Sequence, residues 1–182
     1  MRTLAITENI TLDGRIDMIG GWFDDQAQDG ELLAENIRQR EAADALLVGR
    51  DTFEAFRGYW RDLDDDTTGV SDYLNRVRKY VVSSTLEDPG WGGTTVLRTD
   101  WLEQVGTLKS EDGGDIVCTG SVSVVHALLD AGLVDELRLF QYPVVQGEGR
   151  PLFPDGYATR DLRLAEAVAY GTGAGFQRWV LT

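Results

Sequence analysis

Three apolar segments of the sequence end in groups that can hold an anion. The segments are residues 45–48, 80–82 and 116–118, and the groups that follow them are Gly49, Arg50, Thr52, Ser83, Ser84, Gly120 and Ser121. Hydroxyl groups donate hydrogen bonds, glycine lets the backbone approach a ligand, and an arginine guanidinium can pair with phosphate through two hydrogen bonds. Helix caps and turns explain any one of these segment ends equally well, but three together predict a phosphate-binding edge.

A parallel sheet is the element that would bring the three ends together. Each segment is a continuous apolar run, as expected for a strand that is buried on both faces. Ligands of open parallel sheets bind outside the carboxyl ends of the strands. Helices are predicted to follow two of the ends, and a helix start offers unpaired N–H groups and a positive dipole end. We therefore expect a ligand with several phosphates.

The rest of the chain alternates strands and helices. We predict strands over residues 3–8, 45–48, 79–82, 94–97 and 115–118, and helices over about 29–43, from about 52, from about 71, over 101–109 and over 121–131. Residues 10–25 are predicted to form a long loop. Residues 134–145, 162–170 and 176–181 are predicted to be strands joined by turns, and therefore antiparallel. The expected fold class is α/β, with three α/β/α layers, a mostly parallel mixed sheet and antiparallel C-terminal strands, in one domain over residues 1–182.

Composition narrows the function classes. The net charge of -14 argues against nucleic acid and anionic membranes as partners, because both would repel the protein. The single cysteine, Cys118, excludes an internal disulfide framework. The single histidine, His126, excludes a histidine-based metal cluster and a Ser-His-Asp triad, and we predict no metal. The first residues show no signal-peptide pattern, so we expect a cytoplasmic protein.

Several motifs, taken in order, resemble one superfamily. They are TLDG at 11–14, DALLVGRDTFE at 44–54, KYVVSSTL at 79–86, GDIVCTGS at 114–121, LVDEL at 133–137 and PVVQGEGRPLF at 143–153. Their order and spacing resemble the dihydrofolate reductase-like superfamily. Within it, the closer match is the reductase domain of riboflavin-biosynthesis deaminase–reductases and their stand-alone relatives. The zinc-deaminase motifs of the fused enzymes are missing from this sequence.

The resemblance implies a nicotinamide cofactor, which is NADPH in the well-known members. Carried over by motif, Gly49, Arg50 and Thr52 would hold a cofactor phosphate at a helix start. The pair Ser83 and Ser84 would lie by the adenosine ribose and its phosphate. The pyrophosphate would lie against a third set of residues, Gly120, Ser121 and Val122.

The resemblance also implies a mobile loop over the nicotinamide, formed by Leu12, Asp13 and Gly14. Leu12 and Gly14 would then lie near the substrate, as would the segment 143–153. Asp13 is the candidate catalytic residue, because it can donate or relay a proton, although it can equally be a turn residue before Gly14. Trp22 can stack on a flat substrate, or it can pack the loop onto the core.

Two positions depart from the pattern of the superfamily. Ser84 stands where relatives commonly carry arginine, the side chain suited to the 2′-phosphate of NADPH, so NADH remains possible. Leu33, flanked by Glu31 and Glu35, falls where dihydrofolate reductases hold the pterin ring with a carboxylate, so we do not expect dihydrofolate as the substrate.

Two functions remain open at this stage. The first is a reductase that transfers a hydride to a flat heterocycle or to a ribosylaminopyrimidine. The second is a nucleotide- or small-molecule-binding protein that keeps the fold with little or no turnover. A homodimer is expected in either case, because the last strands offer a pairable edge and relatives often form dimers.

Overall fold

The computed structural model describes residues 1–24, 30–159 and 161–182, in which strands and helices alternate as the sequence predicts. The elements are β1 (Leu4–Thr11), α1 (Gly30–Ala42), β2 (Ala43–Gly49), α2 (Arg50–Trp60), α3 (Val70–Arg76), β3 (Arg78–Val82), β4 (Thr94–Leu97), α4 (Trp101–Ser110), β5 (Asp115–Cys118), α5 (Val122–Asp130), β6 (Glu136–Tyr142), β7 (Leu162–Ala169) and β8 (Gly175–Leu181). The predicted loop end, Asp25, and the predicted helix start, Asp29, lie outside the described residues.

One sheet of eight strands carries the fold, in the order β4-β3-β2-β5-β1-β6-β8-β7. The six strands from β4 to β6 are parallel. The last strand, β8, runs antiparallel to both of its neighbours, β6 and β7. The predicted mixed sheet with an antiparallel finish is therefore confirmed, and β6 is the strand that joins its two parts.

The parallel part of the sheet is buried on both faces. Ala45 and Leu47 of β2 belong to a hydrophobic cluster with buried residues of α4 and α5. Leu46 and Val48, which alternate with them, belong to a second cluster with buried residues of α2 and α3. Since successive strand residues point to opposite faces, the sheet separates two helical layers, which confirms the three-layer prediction.

Two strand ends differ from the predicted ones by three residues each, the largest differences among the strands. β1 continues to Thr11, beyond the predicted end at residue 8, because it pairs with β6 from Ala5 through to Thr11. β6 ends with that pairing at Tyr142, short of the predicted residue 145. The described helices include none that is both long and apolar enough to cross a membrane.

Candidate functional site

A groove of about 530 Å³ lies at the carboxyl ends of β2 and β5, where α2 and α5 begin. Its lining includes most of the residues that the sequence predicts for cofactor binding, namely Gly49, Arg50, Thr52, Gly120, Ser121 and Val122. β2 and β5 are adjacent parallel strands, with Leu47 paired to Cys118, so their ends meet at one edge of the sheet. The grouping follows from the sheet order.

Ser121 fastens the two strand ends to each other. Its Oγ accepts a hydrogen bond from the backbone N–H of Gly49 at 2.6 Å and donates one to Oγ1 of Thr52 at 2.9 Å. Gly120, the residue before it, has a φ of 69°, and a Cβ there would lie 3.0 Å from Cγ2 of Thr52. The backbone at Gly120 therefore requires glycine both for its conformation and for the space beside it.

Two helix starts face this groove. α2 begins after Gly49 and α5 begins after Ser121, and neither helix has a side-chain hydrogen bond at its N-cap. The first-turn N–H groups are thus left for a ligand, at the positive end of each helix dipole. Arg50 and Arg150 add positive charge to the lining, which also contains Asp51, and Arg150 is paired with Asp17. This combination of N–H donors and guanidinium groups is suited to a phosphate-bearing ligand.

The predicted pair Ser83 and Ser84 lies outside the described lining of the groove. Ser83 is buried, and its Oγ accepts hydrogen bonds from the N–H groups of Thr85 and Leu86, at 3.2 and 3.0 Å, which shape the turn after β3. Ser84 is exposed. The adenosine contact predicted for the two serines stays a prediction.

Two arginines reach the turn that contains Ser84. Arg50 donates to Oγ1 of Thr85 at 2.8 Å. Arg98 donates to the carbonyl oxygens of Ser84 and Leu86 at 3.2 and 2.7 Å. Sequence reasoning missed Arg98, which follows β4 directly. The available signal was the prediction of a further parallel strand over residues 94–97, whose end had to lie at the same edge of the sheet.

A second cavity, of about 550 Å³, meets the groove at Gly120, which lines both. It lies between the sheet and α1, α2 and α3. Large apolar and aromatic side chains dominate its walls, among them Ile16, Met18, Phe23, Phe56, Tyr59 and Trp60. α1 contributes Asn36, Gln39 and Arg40, so the superfamily's carboxylate on this helix has no counterpart in the described lining. Walls of this kind suit a flat, largely apolar ring system.

Glu8 lies where the groove and the cavity meet, and sequence reasoning missed it. It lines the cavity and is 5% exposed, and its Oε1 accepts the N–H of Gly120 at 2.6 Å. Burial raises the pKa of Glu8 to about 8, while the hydrogen bond from Gly120 and the charge of Arg150 oppose the shift. A carboxyl group between Ile6 and Ile10 in the buried first strand was the signal available in the sequence.

Four loop residues predicted for the site, Leu12, Asp13, Gly14 and Trp22, lie outside the described lining of both cavities and instead hold the chain in place. The carboxylate of Asp13 accepts hydrogen bonds from the Thr11 hydroxyl and from the N–H groups of Gln146 and Gly147, at 2.7, 3.0 and 2.8 Å. These bonds hold the pKa of Asp13 well below its usual range. Asp13 therefore stays ionised, and its geometry favours positioning over the proton donation predicted for it.

The segment after β6 also forms hydrogen bonds with Leu12, Gly14 and Trp22. Leu12 donates its N–H to the carbonyl of Val144, and the carbonyl of Gly14 accepts the N–H of Leu152. Trp22 donates its indole N–H to Oε1 of Gln146 at 2.7 Å and packs on Tyr142, with ring centroids 5.1 Å apart. Of the two uses predicted for Trp22, the structure places it in packing, and its neighbour Phe23 lines the cavity. The substrate contacts of these residues stay predictions.

The sheet order is that of the dihydrofolate reductase-like fold. Two solved structures share this fold with high coverage: a candidate riboflavin biosynthesis protein from Shewanella sp. PV-4 and a pyrimidine reductase-like protein from Corynebacterium diphtheriae. Their TM-scores are 0.74 and 0.71, their identities are 17% and 18%, and the matches cover 99% and 100% of this chain and 99% and 92% of theirs. A third is a dihydrofolate reductase from Enterococcus faecalis complexed with NADP(H), with a TM-score of 0.66 and 17% identity over 99% of this chain and 96% of that one.

The chain belongs to the RibD C-terminal domain family, whose model matches residues 2–176. Among curated proteins it is similar to the uncharacterised protein YyaP of Bacillus subtilis (strain 168), with 29% identity over 174 residues that cover 94% of this chain and 91% of that protein. A second protein of the same organism, the uncharacterised YwjB, is 25% identical over 165 residues, covering 89% and 88%. The predicted family resemblance is therefore confirmed.

Proposed function

We propose that the protein is a nicotinamide-dependent reductase that reduces a flat heterocyclic small molecule. The observation that carries the proposal is the junction at Gly120, where a groove suited to phosphates meets a cavity with aromatic walls. Membership of the RibD C-terminal domain family supports a reductase-type function. The likeness of the fold to a dihydrofolate reductase that binds NADP(H) supports the choice of cofactor.

The residues of the groove fit a dinucleotide. The N–H groups at the starts of α2 and α5 are free of side-chain caps and would hold the pyrophosphate. Gly49 and Gly120 keep the edge open, because a Cβ at Gly120 would press against Thr52. A reduced nicotinamide bound here would supply a hydride. The work of the chain is then to bind, to orient and to exclude water, with the aromatic walls of the cavity fixing the plane of the substrate.

The turn after β3 supports NADPH over NADH. Ser84 lacks the arginine side chain that relatives commonly offer, but the guanidinium groups of Arg50 and Arg98 both reach this turn. We therefore assign to Arg50 and Arg98 the charge compensation of a 2′-phosphate.

Titration of the purified protein with NADPH and NADH, followed by tryptophan fluorescence, tests the cofactor. We expect NADPH to bind more tightly than NADH. Arg50→Ala should weaken NADPH binding about 10-fold or more, the loss expected for a charge-assisted hydrogen bond. Arg98→Ala should lower the affinity for NADPH but not that for NADH. Arg61→Ala, on an exposed arginine at the other end of α2, is the matched control and should change neither affinity.

The titration and a turnover screen separate the two functions left open by the sequence. Failure of both cofactors to bind at millimolar concentration would refute the proposal. A bound cofactor should be oxidised in a screen of pterins, aminopyrimidines and flavins. Binding without oxidation by any of these acceptors would favour the alternative, a binding protein without turnover.

We also keep the homodimer as a proposal. β7 is an edge strand of the sheet, and it carries two exposed apolar side chains, Leu164 and Val168. A second copy could cover this edge. Light scattering on the purified protein tests the proposal, and a monomeric mass would refute it.

A further inference from the structure

The carboxyl group of Glu8 is buried and accepts a backbone hydrogen bond at one of its two oxygens. Oε1 accepts the hydrogen bond from Gly120, and among the described residues no other hydrogen bond to this carboxyl is formed. The residue lines the aromatic cavity and lies against the glycine that also lines the groove. Glu8 thus connects the wall of the cavity to the glycine that the cavity and the groove share.

The other polar groups of the cavity are less suited to acid chemistry. Arg40 donates to the carbonyl of Thr68, and guanidinium groups do not release protons at neutral pH. Thr7 and Gln39 hydrogen-bond to each other. Burial raises the pKa of Tyr73 to about 12, which makes it a poor acid. Within the described lining, Glu8 is the carboxyl group, and burial raises its pKa to about 8.

We propose that Glu8 hydrogen-bonds to the nitrogen of a C=N bond in a flat, neutral heterocycle and supplies the proton that completes its reduction. The inference rests on the proposed function. When bound, the reduced nicotinamide would supply a hydride to the carbon of the C=N bond and would be oxidised, and the π electrons would move to the nitrogen. The O–H bond of Glu8 breaks as the new N–H bond forms, and the carboxylate then takes a proton from water. Asp13 instead accepts hydrogen bonds at both of its carboxylate oxygens, from Thr11, Gln146 and Gly147.

Binding of quinazoline tests the contact without any need for turnover. Quinazoline is flat and neutral and carries ring nitrogens, whereas naphthalene has the same shape without them. Both should quench Trp60, which lines the cavity. Glu8→Gln would still offer an N–H donor to a ring nitrogen, so Glu8→Leu, which offers no donor, is the variant for this test. We expect Glu8→Leu to weaken quinazoline binding roughly 3- to 10-fold, the worth of one neutral hydrogen bond, and to leave naphthalene binding unchanged. Equal effects on the two probes would overturn the contact.

Carbon-13 NMR of glutamate-labelled protein tests the protonation state. The resonance that Glu8→Gln removes should titrate with a midpoint near 8. Glu103→Gln, at an exposed position on α4, is the control and should leave that resonance in place. A midpoint for Glu8 close to the ordinary value would overturn the inference, because the group would be ionised at neutral pH.

Turnover tests the proton transfer itself. With an acceptor from the screen, Glu8→Gln should lower kcat about 100-fold or more, the usual worth of a general acid, and leave NADPH affinity unchanged. In the wild-type protein kcat should fall as pH rises through the pKa of Glu8, and the variant should not show this fall.

Several charged and titratable groups surround Glu8. Arg150 and Cys118 of β5 interact with it electrostatically. Arg40 of α1, Tyr59 of α2 and Tyr73 of α3 line the same cavity, and on β6 the paired residue is Leu139.

The outcomes separate this inference from the proposed function. A variant that keeps more than about a tenth of the wild-type kcat would overturn the proton transfer. If no nicotinamide cofactor binds while quinazoline binding still depends on Glu8, the proposed function and the proton transfer are both refuted. The hydrogen bond from Glu8 to the ligand is then supported on its own. If NADPH binds and is oxidised while Glu8→Gln has no effect, the reductase stands and the role of Glu8 falls.

Discussion

Replacing Glu8 with glutamine should change how the stability of the protein depends on pH. Burial raises the pKa of Glu8 from its usual 4.5 to about 8 in the folded protein. Between these values the unfolded chain has lost the proton and the folded protein keeps it, so the free energy of unfolding falls as pH rises. The decrease is about 1.4 kcal/mol per pH unit, or roughly 3 kcal/mol between about pH 5.5 and about pH 7.5.

Glutamine does not titrate, so the variant lacks this loss. Relative to the wild type, Glu8→Gln should become more stable by roughly 3 kcal/mol over the same interval, because all other titrating groups contribute equally to both proteins. For a chain of this length the melting temperatures should diverge by roughly 6–12 °C. Above the pKa of Glu8 the difference should become constant.

Urea unfolding at several pH values measures this difference directly. Wild type, Glu8→Gln and the exposed control Glu103→Gln are compared in parallel, and the control should follow the wild type. Parallel pH curves for wild type and Glu8→Gln would refute the reasoning. They would mean that Glu8 is ionised in the folded protein, and that water or a neighbouring charge compensates its burial.

Two further predictions concern the edge of the sheet. Gly120→Ala should destabilise the fold by about 1–2 kcal/mol and weaken NADPH binding, because a φ of 69° is strained for alanine and the new Cβ would lie 3.0 Å from Thr52. Urea unfolding measures the stability, and fluorescence titration measures the affinity for NADPH. An unchanged stability would contradict the packing argument. Asp13→Asn should raise KM without altering how kcat depends on pH, because the Asp13 carboxylate holds the loop in place and stays ionised. If the variant instead lost one of the pH-dependent changes in kcat, Asp13 would be shown to titrate in catalysis.

The fold and the groove were predictable because their signals are local. A buried strand that runs into glycine or serine and then into a helix fixes where the helix starts, and parallel strand ends meet at one edge. Gly49, Thr52 and Gly120 were found in this way. The same pattern predicts three further lining residues of the groove, Arg50, Ser121 and Val122.

The remaining site residues depend on contacts between distant parts of the chain. Glu8 matters because β1 lies beside β5, which brings Gly120 to its carboxyl group. Asp13 and Trp22 carry groups that suit a ligand, but the segment after β6 supplies Gln146, which binds both of them. The sequence alone does not show which residue will contact a given side chain. The chemistry of Asp13 and Trp22 therefore did not predict that both would hydrogen-bond to Gln146.

The hydrogen bond between Gly120 and Glu8 makes two equilibria interdependent. The N–H of Gly120 favours the charged form of Glu8. A ligand that lengthens this hydrogen bond on entering the groove therefore raises the pKa of Glu8, and the proton on Glu8 becomes harder to remove. By thermodynamic reciprocity, protonation of Glu8 must then strengthen the binding of that ligand by the same factor. A single backbone N–H is thus enough to couple the occupancy of the groove to the charge of the cavity, with no movement of any helix or strand.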